Sequence, residues 1–273
     1  MERRKIAVGF VVYNPKSSTI DRINNAVSWG FVAYIFDNSP EKSVIRDYIN
    51  CRKNINYTTG GKNLGLGMGL SVICSQAYYD SHHALVFFDQ DTLFNIATLN
   101  TIEEFYVNNQ HLISDYSAVV FNSSNFNVGG NEFVKCFIDV PLARNSGSLF
   151  YLENLKKINW HNEKYFVDGV DYEFCLKSRH HNFRIGEYSC TPGFDHAIEQ
   201  EDKKYIIFGK TYSMRAYSLR RIIDTANSSL KIISKSVCYG EIQFTARIIK
   251  LSLIYMMTQL IVRFLSKIID ETI

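Results

Sequence analysis

Cysteine pairs, prolines and long apolar runs are what this sequence has least of. Its six cysteines (51, 74, 136, 175, 190 and 238) include no CxxC pair, which argues against a zinc site or a redox motif and fits reduced thiols in a cytosolic compartment. Only four prolines occur in 273 residues, with no low-complexity segment or repeat, so no linker divides the chain. The charge-free run 251–262 is twelve residues long, too short to cross a bilayer of about 30 Å as a helix. Met1–Lys5 runs straight into an apolar segment without a small-residue cleavage site, so no signal peptide is expected. No nucleic-acid-binding motif is present. Gly61-Lys62 is followed by Asn63, which excludes a phosphate loop of the Walker type.

What remains is a globular composition, 46% hydrophobic and 21% charged, long enough for one large α/β domain with an appendage. The net charge of +3 conceals an asymmetry. Residues 203–267 hold twelve Lys/Arg against two Asp/Glu; this +10 leaves −7 for the rest. A basic tail on an acidic body suits an anionic surface. The tail is also apolar, from Ile242 through Ile268, with Arg247, Lys250, Arg263 and Lys267 interspersed. It reads as a basic amphipathic helix lying in a membrane interface, or as a helix packed on the body or on a second subunit.

Apolar segments near 6–13, 31–36, 55–58, 84–88 and 117–121 read as strands; segments near 19–28 and 95–108, and one running from the end of the glycine-rich stretch 60–69 to about Tyr79, read as helices. Ser39-Pro40-Glu41 reads as a helix start, with Ser39 as N-cap. Such alternation predicts a mostly parallel, Rossmann-like sheet with flanking helices. The expected boundaries are a first domain at 1–220, with a nucleotide half to about 125 and an acceptor half at 126–220, and a helical appendage at 221–273.

The chemistry concentrates in Leu85–Thr92, where four apolar residues lead to Asp89 and Asp91. A buried strand delivers both carboxylates at its carboxyl end, where open α/β sheets place ligands. Carboxylates so spaced suit a hard divalent cation and a ribose or phosphate oxygen. Glycines 60–69 precede a helix and permit either close approach to a nucleotide or tight packing. His82-His83 and His180-His181 are expected at solvated ends of elements.

Seven segments in order then resemble the inverting nucleotide-sugar glycosyltransferases of family 2, of GT-A fold, and more narrowly the bacterial rhamnosyltransferases and galactofuranosyltransferases of surface-polysaccharide assembly. They are Val11–Pro15, Asp37–Ser39, Asn63–Gly69, Phe88–Thr92, Ser146–Phe150, Phe166–Lys177 and His196. The resemblance implies that Tyr13 and Asp37 hold a uracil or thymine base, and that Asn63 and Gly65 border the nucleoside. Asn14, Asn38, Gln90, Ser146 and Gly147 join the donor-binding set. Asp89 would contact ribose or metal, Asp91 and His196 would bind Mg²⁺ or Mn²⁺, and Asp171 would be the general base. Asp168 and Glu173 are the rival bases, with Asp168 and Asp171 expected on one helix face. The implied partners are a nucleoside diphosphate sugar, dTDP-rhamnose ahead of UDP-galactofuranose, and a lipid-linked saccharide at the cytoplasmic membrane face, with no nucleic acid; a homo-oligomer is open. Two other readings compete: a haloacid-dehalogenase-like phosphatase using Asp89 as nucleophile, and a non-catalytic scaffold.

Overall fold

The computed structural model describes residues 5–40, 43–49, 53–122, 136–197, 203–207 and 210–270. The chain falls into two compact units, residues 1–197 and 198–273. Residues 198–220, assigned from sequence to the first domain, fall in the second unit.

The first unit alternates strand and helix as expected. β1 (Ile6–Val12), α1 (Ser17–Ser28), β2 (Ala33–Asp37), α2 (Val44–Ile49), β3 (Ile55–Thr59), α3 (Leu66–Tyr79) and β4 (Ala84–Asp89) form its first half. β5 (Thr92–Leu93), α4 (Ile96–Asn108), β6 (Tyr116–Phe121), β7 (Phe137–Asp139), β8 (Ser148–Tyr151), α5 (Leu152–Lys157), α6 (Val170–His180), β9 (Arg184–Tyr188) and β10 (Asp195–His196) follow. Eight strands make one sheet in the order β3-β2-β1-β4-β8-β6-β9-β7. β3, β2, β1 and β4 run parallel, while β8 runs antiparallel to both β4 and β6.

The central strands are apolar along their whole length because helices cover both faces. All seven residues of β1 are buried, as are the first five of β4. Phe10 and Phe88 pack on Phe94, the latter pair stacked at 4.3 Å. The connections from β1 lead away to one side and β4 lies on the other, so the β1/β4 junction is the switch point where such sheets bind ligands.

Three expectations need correction here. The helix expected from Ser39 begins only at Val44; Ser39 instead accepts a hydrogen bond from the Asn14 amide at 2.8 Å, and Glu41 lies outside the described residues. His82 is buried, its ring edge-on to Tyr34, although His83, His180 and His181 are exposed as expected. The thiols are not all reduced, since Cys136 and Cys190 form a disulfide with Cα atoms 5.3 Å apart. Pairing of β7 with β9, Phe137 opposite Tyr188, brings together cysteines 54 residues apart, which sequence spacing does not reveal. The scattered cysteines therefore no longer argue for a reducing compartment. Cys74, Cys175 and Cys238 are free, and Cys51 is outside the described residues.

The second unit holds an antiparallel hairpin, β11 (Lys203–Ile207) with β12 (Lys210–Met214), and two helices, α7 (Leu219–Cys238) and α8 (Ile242–Asp270). The Ser218 hydroxyl caps α7 by accepting from the Arg221 amide. The Ser236 and Thr245 hydroxyls bond across the helix pair at 2.7 Å. Along α8, Phe244, Ile248, Gln259 and Val262 are buried, whereas Ile242, Leu253, Met257, Leu260 and Phe264 are exposed. The helix is thus apolar on its packed face and on its open face. Ile242–Phe264 is consequently long and apolar enough to cross a membrane, which the short charge-free run did not suggest. The Arg263 guanidinium donates to the Tyr217 carbonyl at 2.7 Å. The side chains of Lys267 and Ile268 lie outside the described residues.

Candidate functional site

The carboxyl ends of β1, β2 and β4 deliver Tyr13, Asp37 and Asp89 to one edge of the sheet. Beyond β4 the chain turns through Gln90 and Asp91 into β5. β5 pairs with β10 so that Thr92 stands opposite His196, and the Ala197 amide donates to the Asp91 carbonyl at 2.8 Å. This short ladder carries His196 to the acidic turn. Its Nδ1 lies 3.7 Å from Asp91 Oδ1 and 3.4 Å from Thr92 Oγ1.

Ser146 fixes the same turn. Its hydroxyl accepts from the Asp89 amide at 3.1 Å and bonds the Thr92 hydroxyl at 2.9 Å. Gly147, next along, has φ +77°, and a Cβ there would collide with the Phe194 ring, so glycine is required where the Ser146 loop meets the strand end bearing His196.

Gln90 is tied to the end of β1 and to α1: its Oε1 accepts from the Tyr13 amide at 2.8 Å, and its carbonyl accepts from Thr19 and Arg22. Asp37 is 1% exposed, with Oδ1 accepting from the Ser39 amide and Oδ2 from the Tyr57 hydroxyl, both at 2.8 Å. Each oxygen retains a further lone pair for a ligand. Burial, then the Asp37 hydrogen bond, pushes the Tyr57 hydroxyl up to about 12. Tyr57 escaped sequence reasoning, because one tyrosine in a short strand carries no pattern.

Asn38 braces the glycine-rich loop, accepting from the Leu64 amide at 2.8 Å and donating to the Gly65 carbonyl at 3.1 Å. Asn63 Oδ1 accepts from the Gly65 amide at 3.0 Å. Gly65 has φ +91°, and a Cβ would meet the Phe166 carbonyl at 2.5 Å; one at Gly67 would strike the Asn162 and Tyr165 carbonyls. These two glycines serve close packing. They join the half carrying Asp37 and Asp89 to the segment leading to Asp171.

α6 begins at Val170 behind Gly169. Asp168 therefore lies before the helix, and the expected shared face with Asp171 does not form. Glu173 is 1% exposed, its Oε1 accepting from the Asn162 side-chain Nδ2 at 3.2 Å. Asp171 is partly buried, and burial raises its carboxyl above the usual range; Asp168 raises it further, while its own backbone amide and Arg144 lower it. Asp89 is pushed up to about 7, first by burial and then by the charges of Asp91 and Asp171. That coupling brings Asp89, Asp91 and Asp171 into one electrostatic neighbourhood.

Among the described residues no group of three or more His, Cys, Asp or Glu gathers as a metal site. Asp91 and His196 are nonetheless close enough to reach one ion. The Asp91 carboxylate suits Mg²⁺ or Mn²⁺ and the His196 imidazole favours the transition metal Mn²⁺; such ions take one or two protein ligands and complete their shell with substrate phosphates and water. Mutual repulsion among three carboxylates is itself a condition that a cation relieves.

The fold is that of GT-A glycosyltransferases: a central, mostly parallel sheet with flanking helices and an acidic turn at the switch point. Residues 1–349 of S. aureus TarS, solved with UDP-GlcNAc, match with TM-score 0.57 and 15% identity over 89% of this chain and 71% of that one. GalNAc-T7, solved with UDP, GalNAc and Mn²⁺, matches with TM-score 0.58 and 11% identity over 85% and 48%. A longer TarS structure matches with TM-score 0.54 and 16% identity over 84% of this chain, which spans 39% of it. No family model matches the sequence, and no curated protein matches it significantly.

Proposed function

We propose that this chain is an inverting, metal-dependent glycosyltransferase that moves a sugar from a nucleoside diphosphate donor to a lipid-linked saccharide. The observation that carries the reading is the meeting of Asp91 with His196, 3.7 Å apart, beside Asp89 and within electrostatic reach of Asp171. Bound by Asp91 and His196, a divalent cation would neutralise the charge developing on the leaving diphosphate.

The protein's own groups do the rest. Asp37, pinned by Tyr57 and Ser39, accepts from the N3–H of uracil or thymine. Asp89 takes the ribose hydroxyls, and Asn14, Asn63 and the Ser146–Gly147 turn border the donor. Asp171 accepts the proton of the acceptor hydroxyl as that oxygen attacks the anomeric carbon. A single displacement from the face opposite the diphosphate inverts that carbon.

The resemblance to rhamnosyltransferases puts dTDP-rhamnose first. The UDP-bound states of TarS and GalNAc-T7 favour a UDP-sugar as the second reading. The exposed apolar face of α8, with Arg247 and Lys250, holds the enzyme on an anionic membrane face where lipid-linked acceptors reside. Incubation of the purified protein with a nucleotide-sugar panel and Mn²⁺, reading released nucleoside diphosphate by mass, tests the reading: one dominant donor supports it, and release from none removes it.

A further inference from the structure

A second feature lies at the opposite end of the sheet. A half-open cavity of about 430 Å³ is lined by Tyr78, Ser81, His83, Tyr106, Ile113 and Glu153. It adjoins the start of β4, whereas Asp89 closes the other end of that strand, roughly 20 Å away at 3.3 Å per residue. The acidic cleft and this cavity are separate.

Its rim is aromatic and electrically balanced. The Tyr78 hydroxyl donates to Glu153 Oε2 and accepts from Lys156 Nζ, both at 2.9 Å. One carboxylate and one ammonium thus offset each other across a phenol. Tyr78 meets Tyr79 and Trp160 edge-on, with centroids 5.5 and 5.7 Å apart, and Tyr79 is 72% exposed. On the cavity wall, Tyr106 is 2% exposed, with its hydroxyl closed off from solvent.

These features select a ligand class. An anion would face the Glu153 carboxylate, and a cation would find that carboxylate already taken by the Tyr78 hydroxyl, with Lys156 close behind it. A purely apolar guest would strip water from Ser81, His83 and Glu153 without replacing their hydrogen bonds. A neutral sugar ring satisfies all of them: its C–H face packs on aromatic rings, and its hydroxyls both donate and accept. The volume falls within the range of small-molecule sites.

We infer that the cavity bounded by Tyr78, Tyr106, His83 and Glu153 is a second saccharide-binding site, for a neutral pyranose unit, remote from the acidic cleft. It goes beyond the transferase reading and stands or falls separately. If that reading also holds, the site would tether a glycan while the far end of the sheet acts.

The test is saturation-transfer NMR on the full chain, with methyl glycosides of glucose, galactose, mannose, N-acetylglucosamine and rhamnose as probes and excess UDP present. At least one glycoside should saturate, and its signal should fall at least about fivefold in Glu153→Ala and in His83→Ala. The His83 side chain is exposed, so its truncation should leave the melting temperature unchanged, which separates lost contact from lost folding. A signal that is absent, that UDP displaces, or that survives in either variant overturns the inference. Saccharide binding here without nucleotide-sugar turnover would remove the transferase reading alone, and turnover without binding would remove this one alone.

Discussion

Tyr57 donates its hydroxyl to Asp37 Oδ2 at 2.8 Å, so a residue in the middle of β3 sets the orientation of a carboxylate at the end of β2. The Ser39 amide holds the other oxygen. A carboxylate fixed by two donors presents its remaining lone pairs in one direction, which is what recognition of a single N–H requires. Tyr57→Phe should weaken UDP or dTDP binding about tenfold, in line with the 1.5–3 kcal/mol of a hydrogen bond to a charged group when part of it is transmitted. Calorimetric titration reads this directly. Unchanged affinity would mean that Asp37 serves folding alone.

The metal pair yields a second expectation. Asp91→Ala should abolish nucleotide-dependent Mn²⁺ binding, followed by electron paramagnetic resonance, and His196→Ala should weaken it without changing the melting temperature. Equal Mn²⁺ affinity in all three proteins would dissociate the pair from metal binding.

Asp171 provides a pH profile. Burial raises its carboxyl, so the rate should fall on the acid side at a higher pH than an ordinary aspartate would give. Asp168 adds to that rise and Arg144 opposes it. Asp168→Asn should therefore move the acid limb to lower pH, and Arg144→Met to higher pH. Asp171→Asn should lower turnover about 10²–10⁴-fold with donor affinity retained. Movement of the limb in the opposite directions would exclude Asp171 as the group observed.

The metal-free protein should show the cost of its acidic turn. Asp89 is raised from its ordinary 3.8 to about 7, so between these values the folded state holds a proton that the unfolded state has released. Stability therefore declines as pH rises through this window and stays low above it. Asp89→Asn should raise the melting temperature at pH 8 and lose that advantage toward pH 4. Thermal scans in EDTA check the sign; a variant destabilised at pH 8 would contradict it.

Much of the first unit was legible because buried parallel strands leave continuous apolar runs, as in Ile6–Val12 and Ala84–Asp89. The meeting of Asp91 and His196 was expected only through resemblance. Its physical agent is a two-residue ladder, β5 with β10, too short to leave a periodic signal. The role of the glycine-rich loop was ambiguous in sequence, since packing and nucleotide approach demand the same residue; the Phe166 and Tyr165 carbonyls account for Gly65 and Gly67. Tyr57 and the Cys136–Cys190 bridge depend on strand pairing and could not be read locally. The span-like length of α8 was obscured because Arg247, Lys250 and Arg263 interrupt the apolar run without interrupting the helix.

The open face of α8 has its own test. Replacing exposed Leu253, Met257 and Leu260 by Glu should release the protein from anionic liposomes in flotation while sparing nucleotide binding. A protein that ignores liposomes and turns from dimer to monomer on the same change would assign the face to a second copy.

The central claim is that one divalent cation, held by Asp91 and His196, works with Asp171 on one nucleotide sugar. Its most direct test is the rate of nucleoside diphosphate release with acceptor-containing membranes, measured against Mn²⁺ concentration for the unaltered protein, Asp91→Ala, His196→Ala and Asp171→Asn. The account predicts a saturable metal dependence, abolished by Asp91→Ala, shifted to higher Mn²⁺ by His196→Ala, and unshifted but slowed about 10²–10⁴-fold by Asp171→Asn. Full release in excess EDTA, or hydrolysis of simple phosphate esters that depends on Asp89 without any sugar transfer, would contradict it.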